Sequence, residues 1–107
     1  MEVPDCTPLE TAQCLLATVQ MLYENPEVLG ERHATTAMMV NLREVTALPF
    51  PEVAAKGLAA YENFLSLAQI NESELPRLFR TRLRRWHASF ESLMEEFVKI
   101  KASYHVD

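Results

Sequence analysis

The chain has 107 residues, 49% of them hydrophobic and 23% charged, a balance that suits one folded domain and excludes disorder by composition. Its net charge of −5 argues against a nucleic-acid binder that is basic all over and against attraction to anionic membranes. With only two glycines it has little scope for a backbone-lined phosphate or oxyanion pocket, and few turns, which favours long helices.

Residues 1–6 are read as a short flexible N-terminus. Met1-Glu2-Val3-Pro4-Asp5 has neither the positive charge nor the apolar run of a signal peptide. The first helix opens at Thr7-Pro8-Leu9-Glu10. Thr7 can cap the free amides, Glu10 can reach back to it, and Pro8 sits where a missing N–H costs nothing. Leu9, Ala12, Leu15, Leu16, Val19, Leu22 and Tyr23 then recur at helical spacing until Asn25-Pro26 ends the helix. Cys6 and Cys14 are too few for a disulfide framework. A bond between them is open, but free thiols serving as small apolar residues fit better and suit a reducing compartment.

Asn25 can cap a short lead-in, Pro26 to Leu29, that Gly30 divides from a second helix over 31–47. Its stripe of Ala34, Ala37, Met38, Leu42 and Val45 is thin and small, so a neighbouring helix can approach closely. Pro49-Phe50-Pro51 is a stiff connector. A third helix is predicted over 51–70, with Val53, Ala60, Tyr61, Phe64, Leu65 and Ala68 on one side. Gly57 falls on that side at a cost of ~1 kcal/mol against alanine, which implies a close contact there. Asn71-Glu72-Ser73-Glu74 breaks and caps the chain before the fourth helix, predicted over 74–101, with an apolar sector of Leu75, Leu78, Phe79, Leu83, Trp86, Phe90, Leu93, Met94, Phe97 and Ile100. Residues 102–107 are read as a flexible tail.

The predicted fold is all-α: a single-domain, four-helix, mostly antiparallel bundle with a long C-terminal helix. The fourth helix, roughly 42 Å at 1.5 Å per residue, outruns a compact domain of this size, and the apolar Phe97 and Ile100 near its end favour a homodimer through the second and fourth helices. No apolar run reaches the ~20 residues needed to span a bilayer, so a cytoplasmic protein is expected.

Residues with chemistry are sparse. His33, His87 and His105 have no second ligand at metal spacing, and His87 with Glu91 is an ordinary helix pair. No nucleophile motif, phosphate loop or cofactor motif is present, so no enzyme and no cofactor are expected. Five arginines fall between Arg77 and Arg85. Arg77, Arg80 and Arg84 lie opposite the apolar sector, Arg85 flanks it, and Arg82 points into it, where it needs a partner or an interface. Met21, Met39 and Val40 fall off their helices' stripes, and Phe50 belongs to no regular helix face. Exposed Met and aromatic groups suit adaptable protein-binding surfaces. The expected function is therefore that of a small regulatory protein that binds and occludes another protein, of the antiactivator, inhibitor or chaperone type. Its candidate contacts are Met38, Met39 and Phe50 together with Arg82 and Trp86. The alternative is a nucleic-acid-binding regulator using Arg77, Arg80 and Arg84 as phosphate contacts, and an enzyme of unknown type comes third.

Overall fold

A computed structural model of the chain describes residues 7–25, 31–69 and 76–104. The described residues are all-helical: α1 (Pro8–Glu24), α2 (Arg32–Val45), α3 (Pro51–Ala68) and α4 (Pro76–Tyr104). The first helix begins as its sequence requires. The Glu10 amide donates to Thr7 Oγ1 at 3.1 Å, and the Thr7 amide donates to Glu10 Oε1 at 3.1 Å, so two orphan donors are satisfied reciprocally. The Thr7 backbone N–H, and then its hydroxyl, hold the Glu10 carboxyl below its ordinary range. Asn25 closes α1, its amide returning to the Leu22 carbonyl at 3.1 Å.

One continuous core runs through all four helices. Ala12, Leu16, Val19 and Leu22 come from α1, and Ala34, Met38, Leu42 and Val45 from α2. Val53, Ala60, Phe64 and Leu67 join them from α3, and Trp86, Phe90, Leu93 and Phe97 from α4. Burying each large side chain contributes about 1.5–3 kcal/mol. The turn between α2 and α3 adds Leu48 and Phe50, both buried, with Phe50 as the N-cap residue of α3 and Pro51 at its first position. Gly57 explains how α2 meets α3. A β-carbon there would stand 2.6 Å from Val45 Cγ1 and 3.7 Å from the Thr46 amide nitrogen, so only glycine lets the end of α2 come this close.

The packing is strongest between α3 and α4, with α2 seated against both α1 and α3. The molecule measures 53 × 31 × 20 Å, its radius of gyration is 15.1 Å, and its longest helix is the 29-residue α4. A compact domain of this size has a radius nearer ~13 Å.

Several sequence expectations change. The fourth helix runs to Tyr104, so residues 102–104 are helix rather than tail. On α3, Leu67 is buried and Ala68 exposed, a slip of one residue at the end of the stripe. Phe79 is 37% exposed. Cys14 is a free thiol on the surface rather than a small core residue. Phe97 is buried within the single chain, and Ile100 is half-buried. The lead-in 26–29, the break 71–74, Cys6, Ile70, Leu75, His105 and Asp107 lie outside the described residues.

Candidate protein-binding surface

Trp86 is 2% exposed and forms the centre of an aromatic cluster. Phe64 of α3 meets it with ring centroids 5.0 Å apart, and Tyr23, one residue from the end of α1, meets it at 5.8 Å. Tyr23 also stacks on Phe90, centroid to centroid 3.7 Å and within 5° of parallel, and its hydroxyl hydrogen-bonds His87 Nδ1. Three helices are joined by these rings. Burial, with the charge of Glu91 a smaller cause, raises the Tyr23 phenol above its ordinary value of 10.0. The partner of His87 is therefore a tyrosine distant in sequence, which spacing along one helix had no means of revealing.

Arg82 makes a hydrogen bond inside the chain. Its Nη1 donates to the Ser66 carbonyl at 3.0 Å. That oxygen is one of the last four of α3, which lack a partner within the helix and carry the negative end of its dipole. A half-buried guanidinium thus finds a helix terminus where a carboxylate or an interface was expected.

Of the surface expected from sequence, Met38, Phe50 and Trp86 are buried in the core, at 0%, 7% and 2% exposure. The reason is geometric: Met38 is on the stripe of α2 and faces inward, and the connector folds Phe50 back under α3. Met39 is half-buried against the core. Met21 and Val40 are exposed, as their off-stripe positions imply, and so are Leu58 and Val98. Arg77, Arg80, Arg84 and Arg85 are all exposed, and none takes part in an ion pair among the described residues.

Depressions mark the surface among the described residues. One, of about 630 Å³, runs between Gln20 of α1 and the flank of α4, where Phe90, Met94 and Val98 supply apolar surface and Glu91, Glu95 and Lys99 the edge. Another, of about 400 Å³, lies between α3 and α4 among Ala59, Ala88, Ser89 and Ser92, with Lys56 and Arg85 beside it. Its polar groups are partly engaged, Asn63 donating to the Ala59 carbonyl and Ser89 to that of Trp86, both at 2.9 Å. Among the described residues no three His, Cys, Asp or Glu side chains are grouped to hold a metal ion, and no helix is long and apolar enough to cross a membrane.

No protein-family profile matches the chain, and neither a curated protein nor a solved structure matches it.

Proposed function

We propose that this chain is a non-catalytic regulatory protein that binds another protein, built as an antiparallel four-helix bundle, pairing with itself and acting in the cytoplasm. Antiparallel order is supported by contacts between the end of one helix and the start of the next. Val45 meets the site of Gly57, and Ser66 meets Arg82 while the earlier Phe64 meets the later Trp86. Along α1 and α4, Tyr23 lies by Trp86 and the earlier Gln20 by the later Val98. The exposed free thiol of Cys14 suits a reducing compartment.

The observation that carries the binding role is the groove between α1 and α4. Its apolar residues Met94 and Val98 are flanked by Glu91 and Glu95, and Val98 is 62% exposed. Methionine beside an acidic edge fits an amphipathic helix with apolar residues three and four apart and a basic flank. The surface differs from the one read in sequence: the groove replaces Met38, Phe50 and Trp86, and Arg82 is already engaged by Ser66.

Capture from a nuclease-treated native lysate, comparing the wild type with Val98→Glu, tests this reading. One near-stoichiometric protein should be retained by the wild type at moderate salt and lost by the variant, whose melting temperature should stay unchanged. Equal retention by both would remove the groove. The exposed, unpaired Arg77, Arg80 and Arg84 support a second reading as a nucleic-acid regulator. It requires that every partner vanish with nuclease and that affinity fall steeply with salt.

A further inference from the structure

The outward face of α4 divides by charge. Positions from Arg77 to Val98 recur along it at alternating spacings of four and three, exposed at every step but the half-buried Thr81, and that repeat keeps one seam of a helix facing a neighbouring helix. In the first half the seam carries Arg77 and Arg84, in the second Glu91, Glu95 and Val98, and Ala88 stands between the halves. None of the four charged residues takes part in an ion pair among the described residues, where the ion pair present joins Lys99 to Glu96. Within one chain the arginines and glutamates cannot satisfy one another: Arg84 and Glu95 are roughly 16 Å apart along the helix axis at 1.5 Å per residue.

We propose that this face is the contact between two copies of the chain, docked antiparallel through α4 about a two-fold axis midway between Ala88 and Glu91. The proposal rests on the reading that the chain pairs with itself, and it assigns the face and the register. Antiparallel docking sets Arg84 against Glu95 of the second copy, Ala88 against its Glu91, and Thr81 against its Val98. A two-fold axis makes each pairing twice. Parallel docking in register would set arginine on arginine and glutamate on glutamate, so charge selects the antiparallel orientation. Ala88 beside the axis lets the helix axes approach, and Val98 gains an apolar cover over the methyl group of Thr81. Exposed ion pairs contribute little singly, so the dimer is weak and depends on salt.

Arg84 and Glu95 are both exposed and serve as the test by charge exchange. Sedimentation equilibrium of the full chain over a wide concentration range, at low and high salt, reads the outcome. The wild type should dimerise at low salt and dissociate as salt rises. Arg84→Glu and Glu95→Arg should each raise the dissociation constant by at least ~10-fold, since each reversal creates two repelling pairs. The double variant Arg84→Glu/Glu95→Arg should dimerise within ~3-fold of the wild type, and circular dichroism should be the same for all four proteins. A wild type that stays monomeric throughout overturns self-pairing and this face with it. A dimer indifferent to either single reversal keeps self-pairing and overturns the α4 face. Failure of the double variant to recover overturns the register.

Discussion

Trp86 and Tyr23 show how much depends on where a single side chain points. Sequence spacing leaves Trp86 equally suited to core and anchor, and the structure places it between Phe64, Tyr23 and Phe90 with almost no exposure. Trp86→Ala is accordingly expected to lower stability by ~3–5 kcal/mol in denaturant unfolding, through the lost transfer energy and the cavity left behind. An unchanged midpoint would mean that the indole packs against nothing in the isolated chain. Tyr23 adds a pH dependence. Its phenol is raised in the fold by burial and by the charge of Glu91, so the folded chain favours the neutral form. That stabilisation is complete below the unfolded value of 10.0 and is lost as pH rises through the higher folded value. Between neutral pH and about pH 11, the wild type should therefore lose stability more steeply than Tyr23→Phe. Parallel curves would show that the phenol titrates alike in both states.

At the scale of the helix, local rules and tertiary packing separate cleanly. The start of α1 is set by Thr7, Pro8 and Glu10, which are neighbours in sequence, and both capping hydrogen bonds are present. The stripe of α2 was legible for the same reason, since Ala34, Met38, Leu42 and Val45 share a face at the helical period and all are buried. Gly57 could be flagged from sequence as a costly residue in a helix interior, but its reason lies on another element, in the Val45 side chain. Gly57→Ala sets a propensity gain of ~1 kcal/mol against an overlap that costs about 1–3 kcal/mol. The overlap should win because Val45 is fully buried and has no free volume to move into. A lowered thermal midpoint is expected, and a raised one would mean that α2 shifts away without loss.

For the whole molecule, a helix longer than a compact domain raises the question of what covers its end, and Phe97 near that end is buried by the chain itself. Phe97→Ala should thus cost ~3–5 kcal/mol at every protein concentration. A loss seen only where the protein is dimeric would return Phe97 to an interface. The charge pattern of α4 then becomes the stronger reason for pairing. Glu91, Glu95 and Val98 edge the groove and also belong to the proposed seam, so a helix in the groove and a second copy would contest them.

The sequence by itself determined the four helices, the cap of α1, most core positions and the exposure of Arg77, Arg80 and Arg84, because these follow from periodicity and from residues close in the chain. It placed Phe50 outward, because the inward fold of a connector depends on what lies beneath it. It paired His87 only with Glu91 on its own helix and named no partner for Arg82, because the Tyr23 hydroxyl and the Ser66 carbonyl belong to other helices. The groove between α1 and α4 was likewise beyond its reach. A helical wheel describes one element at a time, whereas a groove is the distance between two.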